Sequence, residues 1–254
     1  AGGHDSDSGS AYVSGRQSPD AIEEKFVDEF AYAISDLSEI SGCIPMSCVN
    51  RNVSIGKNTK DVRLLMERSA AKIILSVDKE SILKGLRIDS VRLCQSPTVL
   101  RPFRWHGKGG SRAESSDEVM AGDFATDMDL AVLNSGEPVI LYALENCQGI
   151  LLPDNVNPME KIPHRIGGKY ALCTYLEVSA TFGSEGILEG GVNYRIYLGL
   201  DSTSSFDVPG NSCIDVMLQL TGVGLHEVSW RVSADSTTFA ATRSCAVSAA
   251  RPAS

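Results

Sequence analysis

Arg68-Ser-Ala-Ala-Lys-Ile-Ile-Leu-Ser-Val77 sets Ala71, Ile73, Leu75 and Val77 at every second position, with Lys72 and Ser76 between them. Successive side chains of an extended chain point to opposite faces, so this spacing buries one face of a β-strand and leaves the other partly wet. Ser212-Cys-Ile-Asp-Val-Met-Leu-Gln-Leu220 repeats the period: Ile214, Val216, Leu218 and Leu220 alternate with Cys213, Asp215, Met217 and Gln219. Outward from these two stretches the chain breaks into short β-rich segments separated by polar, Gly or Pro punctuation. Residues 44–48, 61–65, 68–77, 86–94 and 98–103 form a first group, and 139–144, 170–180, 192–200, 212–220 and 227–233 a second. The segments are too short and too often interrupted for a βαβ repeat, which predicts a mostly antiparallel, mostly β architecture.

One helix is expected before the strands. Ser18-Pro19-Asp20 supplies an N-cap, a proline at the first helical position and an early acid, and Phe26, Phe30, Ile34 and Leu37 follow at helical spacing, so the helix runs over 19–37. Residues 1–17 are Gly-, Ser- and Asp-rich and offer nothing to bury. The Gly-, Ser- and charge-rich run 104–118 is expected to be an inter-domain loop or an insertion at a domain edge. These divisions predict a flexible start over 1–18, an N-terminal β-sandwich domain with its linker over 19–132, and a C-terminal β-sandwich domain over 133–254.

Composition narrows the function classes. The 254 residues are 43% hydrophobic and 22% charged, ordinary for a folded domain. Net charge is 23 − 32 = −9, which opposes binding to a phosphate backbone, so no nucleic-acid partner is expected. No apolar run is long enough to span a bilayer. Seven cysteines are too sparse for a disulfide scaffold, and the Cys43/Cys48 pair lacks a second close pair to complete a zinc site. For an exported chain, one disulfide among Cys173, Cys213 and Cys245 would leave one thiol of the three free.

No reactive constellation emerges. The chain carries no G-x-S-x-G, no H-E-x-x-H, no Walker A loop and no G-x-G-x-x-G opening a helix. Gly107-Lys-Gly-Gly110 reads as a flexible loop, and His4, His106, His164 and His226 read as surface residues. Asp123, Asp127 and Asp129 miss the spacing of a calcium loop and read as a solvated acidic linker. Glu145-Asn146 at a strand end reads as a turn whose amide caps backbone groups. The expectation is a protein that is not an enzyme, with no catalytic, cofactor-binding or metal-ligating residues and no cofactor.

Several segments, in order, resemble one family. Ile44-Pro-Met-Ser47 is similar to an I-P-M-S/Y segment, and Leu65-Met-Glu-Arg68-Ser-Ala-Ala-Lys72-Ile resembles an L-x-R-x-x-A-K-[IV] strand. Leu86-Arg-Ile-Asp-Ser-Val91-Arg-Leu, with Pro97 behind it, is similar to the strand and turn that follow. Leu141-Tyr142-Ala-Leu-Glu145-Asn146-Cys-Gln148-Gly149 resembles F-Y-x-x-E-N-x-Q-G, and Thr174-Tyr175-Leu-Glu177-Val resembles Y-[IL]-E-[IV]. Tyr194-Arg-Ile-Tyr197-Leu-Gly199, then Ser205-Phe206-Asp207-Val208, is similar to Y-R-[IV]-Y-L-G and D-F-N-V. Together they resemble the fimbrillin superfamily, the pilin and pilus-accessory lipoproteins of Bacteroides-type Gram-negative anaerobes. Pro209-Gly210-Asn211 departs from the basic residue and Asn that commonly follow in that family.

The resemblance implies two transthyretin-like Greek-key β-sandwich domains after one short N-terminal helix. It implies a type V pilus subunit, or a tip or anchor accessory, located at the cell surface in the fimbrium and the outer membrane and serving in adhesion. Membrane attachment would come only through a lipid anchor on the precursor. Partners would be other pilus subunits or surface proteins, with host glycan or protein as further targets. Assembly would follow arginine-specific cleavage, with Arg16 and Arg51 as candidate processing residues, and addition of a neighbour's strand to the opened sheet. Phe239, Thr242, Cys245 and Val247 mark a candidate donor strand, the alternative being a final strand paired within its own chain. A second function, a surface glycan- or protein-binding module outside any pilus, rests on Trp105 in the Gly-rich loop as candidate ligand residue.

Overall fold

The computed structural model describes residues 32–33, 44–48, 57, 61–101, 110–120, 123–124, 127–184, 187–221, 229–238 and 244–248. In chain order the first strands are β1 (Tyr32–Ala33), β2 (Met46–Ser47), β3 (Asp61–Leu65), β4 (Glu67–Arg68), β5 (Ala70–Val77), β6 (Leu86–Cys94), β7 (Val99–Leu100) and β8 (Asp123–Phe124). They are followed by β9 (Val139–Leu144), β10 (Asn146–Ile150), β11 (Tyr175–Ser184), β12 (Ile187–Tyr197), β13 (Ser205–Val208), β14 (Ser212–Thr221), β15 (Ser229–Thr238) and β16 (Ser244–Ser248). Short helices α1 (Lys79–Leu83), α2 (Asp127–Asn134) and α3 (Pro163–Ile166) interrupt them. The chain is mostly β, as the alternating pattern requires.

Two four-stranded sheets form the sandwich, in the orders β15-β14-β5-β9 and β12-β11-β6-β8. In β5, Ala71, Ile73, Leu75 and Val77 are all buried while Lys72, Ile74 and Ser76 are half-buried on the other face. Ile214, Val216 and Leu218 of β14 and Val139 and Ala143 of β9 extend that inner face. From the facing sheet come Leu86, Ile88, Val91 and Leu93 of β6, Leu176, Val178 and Ala180 of β11, and Ile196 of β12, and all of these belong to one hydrophobic core. In β6 the inner positions step by three residues between Ile88 and Val91. There the register against β11 shifts between Ser179 and Ala180, a bulge that returns the strand to its buried face.

The boundary expected at 132/133 does not separate two sandwiches among the described residues. β5 pairs with β9 and β14, and β6 pairs with β11, so each sheet is woven from both halves of the chain. Alternation specifies which face of a strand is buried but not which strand lies beside it. β5 and β14 run parallel, with Ile73 opposite Ile214. A parallel pair needs a long crossover, which the intervening chain supplies.

Two further expectations change. Within the helix expected over 19–37, only Tyr32 and Ala33 are described, and they form β1, antiparallel to β7 with Tyr32 opposite Leu100. Their backbone is spent on a strand edge, so helical spacing of the flanking apolar residues does not carry through them. The acidic linker is in part helix α2, whose Leu133 is fully buried and whose Leu130 packs on the core. Its final residue does structural work: Asn134 Oδ1 accepts from Ile88 N–H at 2.8 Å and its Nδ2 donates to the Ile88 carbonyl at 2.9 Å. Among the described residues strand β8 pairs with Arg92 and Leu93, and this side-chain amide continues the hydrogen bonding along the edge of β6.

At the start of β6 the backbone has φ +93° at Gly85, and a Cβ there would lie 1.8 Å from the Gly183 carbonyl oxygen. Only glycine permits this contact between the turn and the end of β11, which Gly183 N–H and the Gly85 carbonyl close at 3.1 Å.

Candidate functional site

The segments picked out in the sequence meet at one corner of the sandwich. β2 pairs with β4, Met46 opposite Arg68, and Ser69 N–H donates to the Pro45 carbonyl at 2.9 Å. Glu145 N–H donates to the Ser69 carbonyl and Asn211 N–H to the Ala70 carbonyl, both at 3.0 Å. Arg68 Nη1 reaches Asn211 Oδ1 at 3.1 Å. β10 then pairs with β13, Cys147 opposite Asp207, and Gly149 N–H donates to Asp207 Oδ1 at 2.6 Å.

Behind this corner Glu145, Asn146 and Gln148 are buried together, an arrangement that costs free energy unless every polar atom finds a partner. Asn146 does so fully. Its Oδ1 accepts from Ala113 N–H at 3.2 Å and Gln148 Nε2 at 2.9 Å, and its Nδ2 donates to the Leu172 carbonyl at 2.7 Å and Thr174 Oγ1 at 2.9 Å. Gln148 Nε2 also donates to the Ala113 carbonyl at 2.8 Å, and Thr174 Oγ1 to the Gln95 carbonyl at 3.0 Å. The amide thus caps backbone groups, but as the first residue of strand β10 and not in the turn expected there, and does so for two distant segments at once.

One of those segments is the end of the expected inter-domain loop. Cys147 N–H donates to the Ser111 carbonyl at 2.8 Å, and Ser111 and Ala113 are both buried. Gly110 has φ +79°, and a Cβ on it would lie 2.5 Å from Cys147 Sγ and 2.9 Å from Glu145 Oε1. This part of the stretch is a packed insert.

Burial pushes the Glu145 carboxyl up to about 7, although backbone hydrogen bonds from Ser111 and Gly210 and the Cys147 thiol oppose the rise. Its ordinary value is 4.5, so between these pH values the folded chain holds a proton that the unfolded chain has released. Stability from this group is therefore complete below pH 4.5 and declines as pH rises toward 7, by about 1.4 kcal/mol per unit at most. Glu145→Gln removes the titration. Urea unfolding of both proteins from pH 4.5 to 7 is expected to show the difference, wild type minus variant, falling by roughly 2–3 kcal/mol, and a flat difference would place the carboxyl near its ordinary value.

A second, smaller core lies on the outer side of β11 and β12. Tyr175, Tyr197, Phe206, Leu152, Ile166, Cys94 and Cys173 form it, and Tyr197 lies opposite Tyr175 across the two strands. Lys161 is buried here, its Nζ donating to the Asp201 carbonyl at 2.9 Å and sitting 4.6 Å from the Phe206 ring centre. Burial lowers its pKa to about 8. For Asp201 burial alone would raise the carboxyl, yet hydrogen bonds from Ser204, Ser205 and Thr203 hold it well below the usual carboxylate range. No local signal marked Lys161, since its partners lie far along the chain.

In front of the corner is a groove of about 390 Å3 lined by Ile44, Arg68, Lys72, Tyr142, Asn211 and Ser212. Other candidates fall elsewhere. Arg16, Arg51, Trp105, Phe239 and Thr242 lie outside the described residues. Cys245 and Val247 lie in β16, which pairs antiparallel with β3 of the same chain, opposite Leu64 and Val62. Cys48, Cys94, Cys147, Cys173 and Cys213 are free thiols. His164 is exposed in α3, and among the described residues no three His, Cys, Asp or Glu side chains converge on a metal position.

A family described as a domain of unknown function, DUF4906, matches residues 141–213. No curated protein matches the sequence. Among solved structures, the tip fimbrial protein Mfa3 of Porphyromonas gingivalis, truncated at its C-terminus, aligns at 10% identity over 66% of this chain and 52% of its own, with a TM-score of 0.37. A putative cell adhesion protein of Bacteroides eggerthii aligns at 13% identity over 69% of this chain and 57% of its own, TM-score 0.39. A putative cell adhesion protein of Parabacteroides distasonis aligns at 16% identity over 82% of this chain and 74% of its own, TM-score 0.43. The chain thus spans little more than half the length of the first two.

Proposed function

We propose that the chain is a cell-surface fimbrial subunit or a tip or anchor accessory of a type V pilus, assembling by β-strand complementation and serving in adhesion without a catalytic step. The observation that carries this reading is convergence. The motifs that resemble the fimbrillin superfamily are scattered from Ile44 to Val208, yet four of them are hydrogen-bonded to one another at a single corner. Such motifs act together as one architectural device, consistent with a protein whose work is structural.

Strand complementation has a physical basis in β16. Among the described residues it is hydrogen-bonded to β3 alone, as a two-stranded ribbon outside both four-stranded sheets. Such a ribbon is marginally stable in water. The same strand from a neighbouring copy offers identical backbone partners, so exchange costs little once the local pairing opens. Cys245 and Val247 then act as donor positions, and cleavage after Arg16 or Arg51 frees the acceptor. Export as an outer-membrane lipoprotein belongs to the same reading.

Limited trypsin treatment followed by light scattering tests it. The trimmed chain is expected to form concentration-dependent multimers, and a chain ending at Thr238 is expected not to. A trimmed protein that stays monomeric at every concentration would sink the assembly reading.

A further inference from the structure

The groove in front of the corner has a chemistry that strand exchange does not use. On the outer face of β5, Lys72 lies opposite Tyr142 of β9 and opposite Cys213 of β14. Ile44, Ala70, Arg68, Asn211 and Ser212 line the groove with Lys72 and Tyr142, Arg68 and Asn211 joined by a hydrogen bond of 3.1 Å. Among the described residues none that lines the groove is acidic, and Asp215, one row further along the same face, makes no ion pair with Lys72. Beyond the groove the face is apolar on the side of β9, with Ile74 opposite Ile140, which is 49% exposed, while on the side of β14 Asp215 lies opposite Ile74 and Met217, 46% exposed, opposite Ser76.

The amide and hydroxyl of the rim, Asn211 and Ser212, are engaged within the chain, whereas Arg68 commits one guanidinium nitrogen to Asn211. Arg68 donates to Asn211, and Ser212 Oγ donates to the Pro209 carbonyl at 2.6 Å. A polyhydroxylated sugar would find few free partners here. A ligand with one negative charge beside apolar groups would find the Lys72 ammonium, the Arg68 guanidinium and apolar walls that continue along the sheet. The volume lies within the range of clefts that hold small ligands.

We infer that this groove binds an extended peptide segment of a partner protein, with an acidic side chain seated at Lys72 and Arg68 and apolar neighbours against Tyr142, Ile44 and the Ile74–Ile140 stripe. The site goes beyond the pilus reading and does not depend on it: a chain that stays monomeric after trypsin leaves the groove unchanged.

Titration of the isotope-labelled chain, followed by NMR shift changes at low ionic strength, tests the inference. The probes are acetyl-Val-Glu-Val-amide, its Gln counterpart and glucuronate. The Glu peptide is expected to shift Ala70 to Lys72 and Tyr142 saturably and to bind about fivefold tighter than the Gln peptide, the scale of one partly solvated ion pair. Lys72→Met is expected to erase that preference and Lys72→Arg to retain it. Should Lys72→Met fail to fold, the Glu against Gln comparison on the wild-type chain decides. Equal binding of the two peptides, shifts confined to other surfaces, no binding by any probe, or tighter binding of glucuronate than of peptide would each overturn the assignment.

Discussion

Asn146→Ala is expected to lower the free energy of unfolding by about 3–5 kcal/mol, because it strands several polar groups at once. Asn146 is fully buried, and its amide serves Ala113 N–H, Gln148 Nε2, the Leu172 carbonyl and Thr174 Oγ1. Truncation leaves the buried Ala113 N–H and the half-buried Leu172 carbonyl without this partner, and a stranded buried group costs about 1–3 kcal/mol. Gln148 and Thr174 keep their other bonds, to the Ala113 and Gln95 carbonyls, and soften the loss. The urea midpoint is expected to fall with little change in slope, and amide exchange at Ser111 to Ala113 to accelerate. A loss under about 1 kcal/mol, with exchange unchanged, would mean that the amide does not hold the insert against β10.

Phe206→Ala carries an expected loss of about 3–5 kcal/mol, the range for removing a large aromatic ring from a packed interior. Phe206 is fully buried; its ring meets Tyr197 edge-on at 5.7 Å between centres and lies beneath the Lys161 ammonium. The substitution opens a cavity and also removes the ring face from a buried cation, so Phe206→Leu, which fills much of the space but offers no ring, is expected to recover only part of the loss. Thermal or urea unfolding of both variants checks this. Full recovery in Phe206→Leu would assign the whole effect to volume.

How far the strands were legible depends on how local their signal is. The bounds expected for 61–65, 86–94 and 139–144 coincide with β3, β6 and β9, because β-branched and aliphatic residues at period two act through neighbouring residues alone. Helix α2 was obscured by Asp127 and Asp129, which read as solvated, while two leucines sufficed to dock it. Strands β10 and β13 were missed because their buried residues are partly polar, Asn146 and Gln148 among them, and polar residues look like turn on hydropathy alone. One local signal was present: Glu145-Asn146-Cys147-Gln148 follows an apolar strand with no glycine or proline to end it. A polar run without a turn residue is what a buried, self-satisfied network looks like in one dimension.

Sequence by itself determined the mostly β class and the buried face of β5 and β14, since alternation is written into consecutive covalent geometry. Tertiary structure alone decided that β14 lies parallel to β5, that both halves of the chain share each sheet, and that Lys72 and Tyr142 face one groove. It also decided that Glu145, Asn146 and Gln148 are interior. The partners that permit their burial, Ala113, Leu172 and Thr174, come from distant parts of the chain, and no local pattern specifies a hydrogen bond across that separation.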